Sequence, residues 1–221
     1  MASEYFKRWL KCMAGLIICG TGTYICVQAK AVGIGAWETF QTGLSMRTGL
    51  IYGTCSVIVS FVIIALDLVL KGKIGIGTLF NAVMIGKTVD FWQLHASFLP
   101  AAHSLPQGIL YLLAGETLVS LGSVVYMSPG LGCGPRDTLM VVLGKKFPKV
   151  NIGVVRFCIE FCVFGLGVLM GAPYGWGTVF AVASMSYVMQ AVFGLCHFKA
   201  RDVQHENLAD SWRRWTGQKS A

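Results

Sequence analysis

Residues 33–40 read GIGAWETF, and residues 132–139 read GCGPRDTL. The second copy starts 99 positions after the first. Gly33, Gly35 and Thr39 recur as Gly132, Gly134 and Thr138, and the acid Glu38 recurs as Asp137. A second pair follows in the same order, IGIGTLF at 74–80 and YGWGTVF at 174–180, offset by 100. Gly75, Gly77, Thr78 and Phe80 recur there as Gly175, Gly177, Thr178 and Phe180. Two motifs in one order at nearly one spacing imply a duplicated unit.

The sequence between the motifs is apolar. Of the 221 residues, 55% are hydrophobic and 13% are charged, against about 25% charged in a soluble domain. Mean hydropathy is +0.64, and the apolar runs reach the roughly 20 residues that cross a bilayer. The class is a polytopic membrane protein. The net charge of +8 does not indicate nucleic acid, because the basic residues lie between apolar runs, as in cytoplasmic loops. None of the eight cysteines forms a Cys-x-x-Cys pair, and no Cys/His cluster has zinc spacing. Cys12, Cys19 and Cys26 recur every seven residues and share one helix face. A packing face of small residues explains them better than a metal stripe, and Cys158 and Cys162 take the same reading.

In chain order, residues 1–10 are a cytoplasmic N-terminus with Lys7 and Arg8. The stretch 11–29 resembles a signal peptide, with a small-x-small pattern at Ala29-Lys30-Ala31. It is long for that role, and its counterpart at 108–127 cannot serve as one, so it is read as a retained first span. Repeat 1 covers 11–94, with spans at about 11–29, 50–70 and 75–94. An outer loop, 95–107, carries His95 and His103 with no third metal ligand near. Repeat 2 covers 108–197, with spans at about 108–127, 151–171 and 175–197. The stretches 36–47 and 136–146 are too short to span, and each suits a re-entrant or interfacial helix. The tail, 198–221, is polar; Trp212 and Trp215 beside Arg213 and Arg214 suit either an interfacial or a solvated stretch.

Three spans per unit is an odd number, so the second unit enters from the opposite side and the repeats are inverted. With both termini cytoplasmic, the inner segments hold Lys7, Arg8, Lys11, Lys71, Lys73, Arg136, Lys145, Lys146, Lys149, Lys199, Arg201, Arg213, Arg214 and Lys219; the outer ones hold Lys30 and Arg47. That asymmetry follows the positive-inside rule. The expected fold is an all-α membrane protein with six transmembrane helices in two inverted three-helix repeats. Each repeat has a short helix after its Gly-rich break.

At the paired motifs the sequence resembles the YczE/YyaS/YitT group of bacterial integral membrane proteins, and within it the YczE-like branch. The matching residues are Gly33-Ile34-Gly35-Ala36-Trp37-Glu38, Gly75-Ile76-Gly77-Thr78, Gly132-Cys133-Gly134-Pro135-Arg136-Asp137 and Gly175-Trp176-Gly177-Thr178. The likeness covers roughly residues 10–195, and the GPRD element is its most specific part. Ala36 stands where the group commonly has Pro. The resemblance implies a multi-pass protein of the bacterial inner membrane and brings no defined reaction with it.

The Gly-rich breaks admit two readings. Glycines turn the chain and pack helices, or broken helices at matching places in inverted halves mark a central site. On the second reading Gly33, Gly35, Trp37, Glu38, Gly132, Gly134, Arg136 and Asp137 bind substrate, and Gly75, Gly77, Gly175 and Gly177 form the other helix-break turns. Glu38 and Asp137 fall in first helical turns, where the dipole favours acids by about 0.3–1 kcal/mol. They also make an anion site less attractive than a cation or zwitterion. Within the spans, Glu116 needs protonation or a partner such as Arg156. Arg156 and Glu160 are spaced to pair with each other, as are Lys87 and Asp90. These charges are structural pairs or an ion relay. Asp67, near the cytoplasmic edge, is expected to snorkel or cap.

No hydrolase, metalloprotease, Walker or Rossmann pattern occurs in its required context. The chain is expected not to be an enzyme, with no cofactor and no metal. Its expected partners are the lipid bilayer and a small solute, with no nucleic acid; a homo-oligomer is compatible with this. The leading expectation is a small-solute transporter or permease-like protein. The rival is a membrane-embedded accessory or regulatory protein that binds a partner through Lys145, Lys146, Lys149 or the tail. Substrate-binding subunits of vitamin importers have similar size, but they carry an Ala-x-x-x-Ala contact in helix one, and here Ala14 is followed four residues on by Ile18.

Overall fold

The structure is a computed structural model and describes residues 2–95, 99–150, 152–199, 203 and 205–208. The tail stretch with Trp212 and Trp215 lies outside them. The described regular structure is all α-helical: α1 (Ala2–Val27), α2 (Ala36–Thr48), α3 (Tyr52–Val69), α4 (Ile76–His95), α5 (Leu105–Met127), α6 (Pro135–Lys146), α7 (Ile152–Leu169) and α8 (Trp176–Leu195). The helix lengths run 26, 13, 18, 20 and then 23, 12, 18, 20 residues. Among the described residues, α1, α3, α5 and α8 are long and apolar enough to cross a membrane. The protein is a membrane protein.

Two helix starts differ from expectation by three residues or more. α1 starts at Ala2, nine residues before the expected span, because nothing in the basic N-terminal stretch interrupts a helix. α5 starts at Leu105, three residues early. Ser104 caps it by accepting a hydrogen bond from the Gln107 N–H at 3.4 Å, and Pro106 sits in the first turn, where its missing N–H costs nothing.

α1 and α5 cross at the centre. Gly15 and Gly22 of α1 face Gly122 and Gly115 of α5: a Cβ on Gly22 would lie 2.6 Å from the Gly115 carbonyl oxygen. Cys12, Cys19 and Cys26 are buried in this seam, as a small-residue packing face requires. Cys158 and Cys162 do not follow them. Both are exposed on α7, because no helix packs over that face. Around the central pair, α4 packs on α1 and α8 on α5, while α2 packs on α7 and α3 on α6. The short helix of each half thus lies against a long helix of the other.

The glycine motifs explain this exchange. Gly33 and Gly132 have φ of +113° and +132°, a region that side-chain-bearing residues rarely enter. The kink presents the preceding carbonyl to the other half. Gly177 N–H donates to Val32 O at 2.8 Å, and Gly77 N–H donates to Leu131 O at 2.8 Å. Each break is therefore held by the first turn of α8 or α4, and the GxGT motif is the clamp for the opposite half's break. Thr39 and Thr138 recur because each hydroxyl donates back to Gly35 O or Gly134 O, at 2.8 and 3.1 Å.

Candidate functional site

Clamping the breaks aims the first turns of α2 and α6 at one cavity of about 220 Å³, to which all eight helices contribute. Gly35, Trp37 and Glu38 line it from α2 and its cap, and Gly134, Arg136 and Asp137 from α6. The Arg136 guanidinium lies 3.7 Å from Glu38 Oε1 and 4.7 Å from the centre of the Trp37 ring. A carboxylate and an aromatic face from one half thus hold a cation from the other. The pair is partly exposed to the cavity, so its ionic contribution is modest. Asp137 accepts a hydrogen bond from the Tyr126 hydroxyl and lies in the field of Arg136 and Arg156. Both repeated acids also fold back over their own helix starts, towards Gly35 and Gly134, where the helix dipole favours a negative charge.

The remaining site residues divide. Glu116, Arg156 and Glu160 reach the cavity. Arg156 pairs with Glu160 at 2.9 Å, and it does not pair with Glu116. Instead Ser184 Oγ lies 2.9 and 2.8 Å from the two Glu116 carboxylate oxygens, because α8 packs directly on α5 there. Lys87 and Asp90 stand away from the cavity and form no ion pair with each other. Lys87 is exposed, while Asp90 accepts from Gly53 N–H at 2.7 Å where α3 crosses α4. Asp67 neither snorkels nor caps: it is fully buried, and both carboxylate oxygens lack a hydrogen-bond partner among the described residues. Gly33, Gly132, Gly75, Gly77, Gly175 and Gly177 form the clamps behind the wall and are not part of it.

The cavity also takes residues not expected from the sequence. Ser56, Ser60, Asn81, Ser123 and Tyr126 supply uncharged polar groups, and Met140, Met185 and Met189 supply soft apolar surface. Single polar residues inside apolar runs were the available signal. On the side of α6 where the chain returns, Arg8 donates to Pro129 O and to Glu206 Oε1, at 2.9 and 2.6 Å. Glu206 N–H donates to Gly130 O and Leu208 N–H to Ile74 O, both at 2.9 Å. This lays the start of the tail across both turn regions. His205 lies half-buried near Asp137, and burial holds its imidazole below the ordinary histidine range.

Residues 6–193 match a protein family described as a family of unknown function, DUF6198. The chain belongs to this family. It is 35% identical over 180 residues to the "Uncharacterized membrane protein YczE" of Bacillus subtilis (strain 168), covering 81% of this chain and 82% of that one. A Haemophilus influenzae protein is 31% identical over 175 residues, covering 79% and 78%. The YyaS protein of Bacillus subtilis is 24% identical over 170 residues, covering 76% and 83%. No solved structure matches. The resemblance read from the glycine motifs is thereby shown: this is a YczE-like membrane protein.

Proposed function

We propose that this YczE-like protein moves a small solute across the bacterial inner membrane, through a site between two inverted repeats of three spans each. On this reading α2 and α6 are re-entrant or interfacial helices, and both termini are cytoplasmic. One observation carries the proposal. Helix breaks from the two halves deliver Trp37 and Glu38, and Arg136 and Asp137, to the same cavity. Broken helices meeting between repeats are how alternating-access carriers build a site. The wall holds Glu38, Glu116, Asp137 and Glu160 against Arg136 and Arg156, an acidic excess that favours a cation or zwitterion over an anion.

Flux into proteoliposomes across a panel of small solutes tests this. Arg136→Ala and Asp137→Ala are each expected to lower flux at least about tenfold while inserting normally. No solute crossing faster than in empty vesicles would overturn the transport reading. The accessory reading draws on the exposed Lys145, Lys146 and Lys149; absent flux together with a partner lost on replacing these lysines would establish it instead.

A further inference from the structure

Of the four carboxyl groups on the cavity wall, Glu38 and Glu160 pair with the guanidiniums of Arg136 and Arg156, and Asp137 lies in the field of both arginines. Glu116 does neither. Among the described residues its carboxylate accepts only from the Ser184 hydroxyl, and the charge acting on it is that of another acid, Glu38. A buried acid of this kind needs a counter-charge or a proton. The cavity wall also includes the apolar Cys26, Leu112, Val119, Ala181, Val182 and Met185.

The two halves also differ in closure. α3 packs along α4, where Gly53 and Gly86 let the backbones meet and Asp90 bonds Gly53. The corresponding α7 and α8 are not packed in this way: α8 rests on α5. Gly86 and Asp90 are replaced, 100 positions on, by Ser186 and Gln190. On this side the wall is formed by side chains such as Ile159 from α7 and Met185 and Met189 from α8. Flexible thioethers there can yield to an apolar body.

We propose that Glu116 is the counter-charge for an amphipathic organic monocation that enters the cavity sideways from the bilayer, between α7 and α8. This names the solute class for the transport reading above and rests on it for its purpose. The apolar part packs among the methionines, and the cationic head meets Glu116. The Trp37 ring already accepts the Arg136 cation on the same wall. A small hydrated cation would shed its water for one carboxylate and gain no apolar contact.

Equilibrium dialysis against the protein in nanodiscs tests this with benzyltrimethylammonium, choline and benzenesulfonate, with empty nanodiscs subtracted. Saturable binding of benzyltrimethylammonium is expected, with choline at least about tenfold weaker and benzenesulfonate not bound. Glu116→Gln should weaken binding at least about tenfold, the scale of a lost charged contact, and Ser184→Ala by less. Choline binding as tightly, or unchanged binding in a Glu116→Gln protein that elutes like the parent, would overturn it. If Glu116→Gln does not fold, Met185→Trp, which fills the gap, should weaken binding; unchanged binding there overturns the sideways route. Binding without flux in proteoliposomes leaves this site standing and removes the transport reading. Flux of another solute without benzyltrimethylammonium binding does the reverse.

Discussion

Asp67 of α3 is fully buried, with no hydrogen bond to either carboxylate oxygen among the described residues. Burying a polar group unpaired costs about 1–3 kcal/mol, and more when it is charged. An amide of the same shape has no charge to bury and no existing bond to lose. Asp67→Asn is therefore expected to leave the thermal unfolding temperature in detergent unchanged or to raise it. A fall of several degrees would reveal a stabilising contact at this carboxylate. At this scale the charged residues were legible in the sequence but their partners were only partly so. Arg156 and Glu160 are one helical turn apart, and the i, i+4 rule places them together. Ser184 lies 68 residues from Glu116, and a serine in an apolar helix carries no mark of which acid it will meet.

The helices themselves followed from local rules. Short turns end α1 and α5 ahead of the glycine breaks, and Pro135 opens α6 at its first position. What the α1–α5 seam tolerates is a matter of backbone distance. A Cβ at Gly22 falls 2.6 Å from Gly115 O, whereas one at Gly165 in α7 meets nothing within 4 Å. Gly22→Ala should destabilise the protein by about 1–3 kcal/mol through overpacking. Gly165→Ala should be neutral or stabilising by up to about 1 kcal/mol, because glycine is a poor helix residue. Denaturation of both variants in one detergent compares them, and equal stabilities would contradict the packed seam. The seven-residue cysteine stripe was readable as a packing face because helical periodicity is local. The same inference failed for Cys158 and Cys162, since periodicity does not say whether a neighbour is present.

Across the whole molecule, the start of the tail ties the N-terminus, the second break and the α3–α4 turn together through Arg8, Glu206 and Leu208. This docking should depend on pH through His205. Free of its site the imidazole titrates near about 6.5; docked, burial holds it lower, opposed by Asp137. The docked tail binds fewer protons as pH falls through the ordinary histidine value. Docking therefore weakens on the acid side and is fully present above it. Among the described residues, Glu206, paired with Arg8, adjoins this histidine in the chain, and Asp137 of α6 is the charged group acting on it. Protection of the Glu206 and Leu208 amides from hydrogen exchange, corrected for intrinsic rates, should drop from about pH 7.5 to about pH 5.5. His205→Gln should remove that drop. A drop that persists in His205→Gln would assign it to another group.

The sequence alone determined the membrane class, the doubled order of long and short helices, and the positions where helices must break. Each follows from residue identity at short range: apolar length, helical period, and the positive φ that glycine permits. It also carried the family, because the same glycine turns mark it. Only the tertiary structure decided that each break is clamped by the other half's GxGT turn, and that the two first turns share one cavity. It alone assigned Ser184 to Glu116, and it left α7 and α8 apart where α3 and α4 close. These depend on contacts between residues tens of positions apart. Packing selects such contacts from many that the local pattern allows equally.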